Sequence, residues 1–181
     1  MSALDEAIEL VLAVEGAPVG RTKLVKLLFL CDLEATRRGL PSITSGRWRY
    51  DHFGPFTWEV IDAAEALAHA GRICREYWED DEWDRSGVDY QAPSAPAATP
   101  SLGANRQPIV RALAERWRGQ SASRLKQHVY SLAVVRSNEP GEVFDMADPA
   151  WRGELAFYDA LDAEKRADDA LMQRLVGRHG G

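Results

Sequence analysis

Tyr50-Asp51-His52-Phe53-Gly54-Pro55-Phe56-Thr57-Trp58 is the stretch that decides the fold. It holds four aromatic residues and a Gly-Pro pair, directly ahead of a helical pattern that closes with Gly71. Gly54 can take backbone angles closed to other residues. Pro55 fixes φ at a value compatible with the start of a helix. The stretch therefore predicts a tight turn followed by a helix over 57–70.

A hairpin is predicted after that helix. The alternating residues Arg75-Glu76-Tyr77-Trp78 indicate a strand. We expect the arms of the hairpin near 72–78 and 87–91, with an acidic tip over 79–84. A helix followed by a strand pair is the order of a winged helix, so we expect a winged-helix-like N-terminal part.

The rest of the chain is predicted to be mainly helical, from apolar periodicity and from helix start and stop signals. The predicted fold class is α+β, mainly α, with about six helices and a small β-hairpin or three-stranded sheet. We expect three parts: a winged-helix-like part over 1–90, a Pro/Ala/Ser linker over 91–104, and C-terminal helices over 105–181 that pack on the same body. The predicted helices cover 4–14, 22–38 capped by Thr22, 108–118, a segment capped by Ser121 or Ser123, and 149–176, and a short strand is expected over 43–50.

Length and composition limit the class of protein. A chain of 181 residues, 45% hydrophobic, can bury one sizeable core. No run of about 18 apolar residues is present, and the polar start lacks the basic region of a signal peptide. These features predict a cytoplasmic protein with no membrane contact. Cys31 and Cys74 have no metal-ligand spacing, so no metal or cofactor is expected.

Enzyme motifs are not found in the sequence. It has no phosphate-binding glycine loop, no histidine-rich metal pattern and no nucleophile elbow. Ser121 or Ser123 with His128 and a distant acid could be imagined as a triad, but such residues co-occur by chance in most chains. We therefore predict a protein that is not an enzyme.

Charge is distributed unevenly along the chain. Residues 41–90 hold eleven acids against five arginines, and residues 105–136 hold seven bases against Glu115 alone. Such patches suggest a charged protein partner, an internal electrostatic fit, or merely solvated helix faces. Arg21, Lys23 and Lys26 also crowd the first turn of a helix, which is either a tolerated arrangement or an anion site.

The charges disfavour DNA as the partner of the winged-helix-like part. A recognition helix and a wing tip both need bases for the phosphates. The helix over 57–70 carries three acids (Glu59, Asp62 and Glu65) and no Lys or Arg, and the tip has five acids in six residues. Nucleic-acid contact remains an alternative only through the basic segment 105–136, and protein binding fits better.

Aromatic residues of the 48–58 stretch are candidates for anchors of a protein interface. The competing interpretation is that several of them pack the turn onto the central helix. The predicted partner-binding residues are Trp48, Tyr50, Phe53, Phe56 and Trp58, together with Glu79, Asp80, Asp81, Glu82 and Trp83 of the tip.

Three segments resemble one known family. They are Lys23-Leu24-x-Lys26-Leu27-Leu28-Phe29-Leu30, then Trp48-Arg49-Tyr50-x-x-Phe53-Gly54-Pro55-Phe56, then a helix that ends Leu67-x-x-x-Gly71-x-Ile73. In order and spacing they are similar to the SocA-like antitoxin family, the Panacea domain, over roughly residues 20–75. The family's later Thr-His and Pro-Trp signature is replaced here by His128-Val129-Tyr130 and Asn138-Glu139-Pro140-Gly141.

That resemblance implies a mostly helical, bacterial or phage-associated antitoxin that neutralises a cognate protein toxin by direct binding. It implies structural roles for the motif residues Lys23, Lys26, Gly54, Pro55 and Gly71. The alternative function is a winged-helix DNA-binding transcriptional regulator.

Overall fold

The computed structural model describes residues 2–80, 85–93 and 102–146. Part of the hairpin tip, most of the linker and the predicted helix over 149–176 lie outside these residues. Within them the helices are α1 (Ala3–Glu15), α2 (Arg21–Arg37), α3 (Trp58–His69), α4 (Gln107–Trp117), α5 (Ala122–Ser131) and α6 (Ala133–Arg136). The strands are β1 (Val19–Gly20), β2 (Arg49–Asp51), β3 (Gly54–Phe56), β4 (Cys74–Asp80) and β5 (Arg85–Gln91).

The predicted fold class is confirmed: six helices in the described residues accompany two small antiparallel sheets. One sheet has the order β1-β5-β4, and the other is the pair β2-β3. In the first sheet Tyr90 of β5 lies between Val19 of β1 and Arg75 of β4. The order α1-β1-α2-α3-β4-β5, with β2 and β3 inserted before α3, is winged-helix-like. No helix in these ranges is long and apolar enough to cross a membrane.

Helix α2 forms the centre of the core. Leu24, Leu27, Leu28, Phe29 and Cys31 have no exposed surface, because apolar residues occupy almost the whole circumference of this helix rather than one stripe. Helices α1, α3, α4 and α5 all pack against it. Each fully buried leucine or phenylalanine contributes roughly 1.5–3 kcal/mol to stability. The packing of α1, α3, α4 and α5 against α2 therefore stabilises the whole helical core.

Two local predictions are wrong. Helix α2 begins at Arg21 after Gly20, so Thr22 lies inside the first turn and is not the N-cap. The strand expected over 43–50 is limited to Arg49–Asp51. The backbone N–H groups of Ile43 and Thr44 donate to a side chain of α2 and not to a neighbouring strand. Of the two predicted caps, Ser121 and Ser123, it is Ser121 that caps α5, accepting from the Arg124 N–H at 3.2 Å.

Candidate functional site

The candidate site is the β2–β3 hairpin together with the start of α3, which we call the aromatic hairpin (Trp48–Trp58). Tyr50 of β2 lies opposite Pro55 of β3. On the other side of β2, the Tyr50 N–H donates to the Glu142 carbonyl at 2.8 Å, and the Gly141 N–H donates to the Tyr50 carbonyl at 2.7 Å. β2 is therefore hydrogen-bonded on both sides, which fixes the backbone that carries the aromatic residues.

A single buried carboxylate joins this hairpin to the core. Asp32 of α2 is 1% exposed. Its Oδ1 accepts from the N–H groups of Ile43 at 2.6 Å and Thr44 at 3.1 Å. Its Oδ2 accepts from the Thr44 hydroxyl and, at 2.8 Å, from the Trp48 indole N–H. Four donors satisfy the buried charge, and they tie the segment that leads into β2 to α2.

Lys26 makes a second connection from α2 to the hairpin. Its ammonium is buried and donates to the Pro55 carbonyl at 2.6 Å. Desolvation, partly opposed by the Asp51 carboxylate and reinforced by the nearby Lys126, lowers the pKa of Lys26 to about 8. Lys26 is therefore mostly protonated at neutral pH, and its hydrogen bond holds β3 against α2.

Tyr130 of α5 supports the turn from a third side. Gly54 has a φ of 80°, and a Cβ added there would lie 2.8 Å from Cε1 of the Tyr130 ring. Tyr130 also lies beside Tyr50, with ring centroids 6.5 Å apart. The glycine is thus needed for its backbone angle and for the space that the tyrosine ring occupies.

The five aromatic candidates divide into three groups by burial. Trp48 is 2% exposed and packs edge-on against Phe29, with ring centroids 5.2 Å apart. It is therefore a core residue and not a surface anchor. Tyr50 and Phe56 are half-buried. Phe53 and Trp58 are 64% and 67% exposed. Large aromatic side chains with this exposure are a feature of protein interfaces, which makes Phe53 and Trp58 the strongest candidates.

Three of these residues, Tyr50, Phe56 and Trp58, line a groove of about 880 Å³, whereas Trp48 and Phe53 do not. Phe56 and Trp58 form an aromatic wall, with ring centroids 5.0 Å apart in an edge-to-face arrangement. The remaining lining is mixed in charge and is contributed by Arg47, Arg49, Tyr50, Asp51, His52, Thr57, Glu59, Asp62, Pro140 and Gly141. A concave surface with an aromatic wall and charged groups of both signs is suited to a protein segment that has apolar and polar side chains.

The acidic tip is only partly described. Glu79 is exposed, and Asp80 is the last residue of β4. Asp81, Glu82 and Trp83 lie outside the described residues. Nearer the body, Tyr77 and Trp78 are 63% and 41% exposed.

Trp78 has a fixed position on its sheet. Its indole lies so close over Gly87 that no side chain would fit there, and its N–H donates to Asp89 at 3.1 Å. Neither Tyr77 nor Trp78 is among the partner-binding residues predicted from the sequence.

Glu65 connects the sheet to the helices. Its carboxylate accepts from Arg21 at 2.7 Å, from the Tyr90 hydroxyl at 2.6 Å and from Arg75. Partial desolvation raises the pKa of Glu65, but hydrogen bonds from Tyr90, Arg21 and Arg75 outweigh it and hold the pKa at about 2. From the sequence alone, Glu65 is one of three acids that disfavour DNA binding by this helix. The structure gives it an internal role.

The crowded bases at the start of α2 have partners inside the protein. Arg21 forms an ion pair with Glu65, and the Lys23 ammonium lies 2.6 Å from a carboxylate oxygen of Glu15 in α1. Lys26 donates to Pro55, as described above. These internal partners account for the three bases without an anion site. The motif residues Lys23, Lys26 and Gly54 have structural contacts, while Gly71 takes a φ of 68° immediately after α3.

The basic segment 105–136 presents several arginines on the surface. Arg111 of α4, Arg118 after α4 and Arg124 of α5 are exposed. Lys126 of α5 approaches the aromatic hairpin, with its ammonium 5.7 Å from the Phe53 ring centroid. This part of the surface differs in sign from the outward face of α3, where Glu59 and Asp62 are exposed.

Comparisons with protein-family models, with curated proteins and with solved structures each found no match to this chain.

Proposed function

We propose that this protein is a non-catalytic antitoxin that neutralises a cognate protein toxin by direct binding through the aromatic hairpin. The observation that supports this best is the exposure of Phe53 and Trp58, at 64% and 67%, on a backbone that is held firmly. Burying two such side chains against a partner supplies much of the energy of a specific interface. The resemblance of residues 20–75 to the SocA-like family supplies the class of partner.

Rigid support of the hairpin favours binding. Asp32, Lys26 and Tyr130 hold it from α2 and α5. Side chains that are already positioned lose less conformational entropy when a partner binds. The exposed aromatics are thus presented as a preformed surface.

The test is co-expression with the product of the neighbouring gene. We expect the chain to rescue growth from that toxin and to co-purify with it. Trp58→Ala and Phe53→Ala should each weaken toxin binding by about 2 kcal/mol, roughly thirtyfold, without loss of fold. Tyr77→Ala is the matched control, because Tyr77 is equally exposed but lies on β4. Failure to rescue, or an equal effect of the control, would contradict the proposal.

A DNA-binding regulator is the second candidate. The winged-helix-like topology and the exposed arginines of 105–136 favour it. The acidic outward face of α3 argues against groove insertion by that helix. Binding to DNA from the upstream region, lost in Arg111→Ser and Arg124→Ser, would support this function over the first.

A further inference from the structure

Strand β4 is an edge of the three-stranded sheet. In the described ranges, β5 is its only strand neighbour, so the outer side of Cys74–Asp80 pairs with no other strand there. A seven-residue edge presents a row of backbone N–H and C=O groups to which a further strand can add. The side chains on this edge determine which strand fits.

We propose that two copies of this chain associate through β4, with the strands antiparallel about a two-fold axis at Tyr77. Arg75, which also donates to Glu65 of its own copy, then faces the second copy's Glu79, and Glu76 faces the second copy's Trp78. Oppositely charged residues directly across an antiparallel pair contribute about 0.2–1 kcal/mol each. The two-fold axis forms the Arg75–Glu79 pair twice, as an isologous interface requires.

The charges of β4 disfavour the neighbouring registers. A two-fold axis at Arg75 would place Arg75 opposite the second copy's Arg75. An axis at Glu76 would place Glu76 opposite the second copy's Glu76. An axis at Trp78 would place Glu76 against the second copy's Asp80. Like charges directly opposite each other are destabilising, whereas the register centred on Tyr77 contains no such pair. The charge pattern thus selects one register.

Exposed aromatic surface lies at the centre of the same register. Tyr77, 63% exposed, faces its own copy and forms a cross-strand aromatic pair. The indole of Trp78, on the opposite face of the sheet, lies over Gly87 and donates to Asp89 of β5, so it is directed away from the second copy.

The resulting sheet has six strands in the order β1-β5-β4-β4-β5-β1. Its interface is one strand edge on each side, which is smaller than the interfaces of permanent dimers. We therefore expect a dimer that forms and dissociates with protein concentration. The association does not involve the aromatic hairpin or a toxin.

Light scattering and sedimentation equilibrium on the full chain alone test the proposal. We expect a rise from monomer to dimer mass between micromolar and several hundred micromolar protein. Tyr77→Lys should weaken dimerisation at least tenfold, because two ammonium groups would then face each other. Trp58→Lys is the matched control and should leave the mass curve unchanged. A monomer at every concentration, or a dimer indifferent to Tyr77→Lys, would overturn the proposal.

Disulfide trapping tests the register. Position 80 faces the second copy's Cys74, which is an exposed free thiol. Facing residues have Cα atoms about 4.5–5.5 Å apart, within the range of a disulfide. Asp80→Cys should therefore give covalent dimers under mild oxidation, and the adjacent Glu79→Cys, which faces Arg75, should not. Trapping of Glu79→Cys in preference to Asp80→Cys would overturn the register.

Discussion

Replacing Gly54 by alanine measures how strongly the tip of the aromatic hairpin depends on α5. Gly54 and Gly71 have similar backbone angles, with φ of 80° and 68°. A Cβ at Gly54 would lie 2.8 Å from the Tyr130 ring, whereas a Cβ at Gly71 would have nothing within 4 Å. Gly71→Ala therefore carries the backbone penalty alone, and Gly54→Ala carries the same penalty together with a steric clash.

The two penalties differ enough to be separated. A left-handed backbone costs an alanine about 1–2 kcal/mol. Carbon atoms prefer separations of about 3.5–4.0 Å, and forcing an extra methyl group into a packed site costs about 1–3 kcal/mol. The free energy of unfolding should therefore fall by about 1–2 kcal/mol in Gly71→Ala and by about 2–5 kcal/mol in Gly54→Ala.

Urea unfolding followed by far-ultraviolet circular dichroism measures both losses. The Tyr130→Ala background provides the decisive comparison, because removing the ring should reduce the effect of Gly54→Ala to that of Gly71→Ala. Equal losses for the two glycine variants in the native background would refute the role assigned to Tyr130. So would an undiminished effect of Gly54→Ala in Tyr130→Ala.

Three further predictions concern polar groups. Asp32→Asn should lower the free energy of unfolding by about 2–4 kcal/mol, measured by urea titration, because an amide N–H₂ would face buried donors that lose their acceptor; an unchanged midpoint would contradict this. Glu65→Gln should be less stable than the native chain above pH about 4.5, and the difference should vanish as the pH falls toward 2, since the folded-state pKa of Glu65 is about 2 and its ordinary pKa is 4.5. A gap that is constant with pH would show that the Glu65 charge does not stabilise the fold. Changing the acidic residues 79–82 to serine should slow association with a basic toxin in stopped-flow measurements, with an effect that fades at high salt; a salt-independent effect would exclude steering.

Much of the fold could be predicted from local patterns. The helices α1 and α2 have strong apolar periodicity, and the β4–β5 hairpin shows alternation on one arm. Val19–Gly20 gives no comparable signal, because a strand of two residues is too short for a pattern, so β1 and the three-stranded order could not be predicted in detail. The same limit applies to β2 and β3, with three residues each.

The position of the candidate site is a prediction from the sequence, whereas the contacts that hold its backbone could not be predicted. The aromatic cluster marked the stretch from Trp48 to Trp58, yet burial within it depends on contacts with distant residues. Asp32 meets Trp48 sixteen positions later, and Tyr130 meets Gly54 from another helix. An acid inside the apolar run of α2 was the one signal that could have identified Asp32, since a buried carboxylate requires several donors.

The start of α2 has a consequence for how a partner meets this protein. Arg21 connects that helix to Tyr90 of β5 and to Glu65 of α3, and Lys26 connects it to the aromatic hairpin. The three-stranded sheet and the aromatic hairpin are therefore both attached to α2. A partner that contacts both meets them at a fixed separation and angle, so the second contact forms at high effective concentration once the first is made.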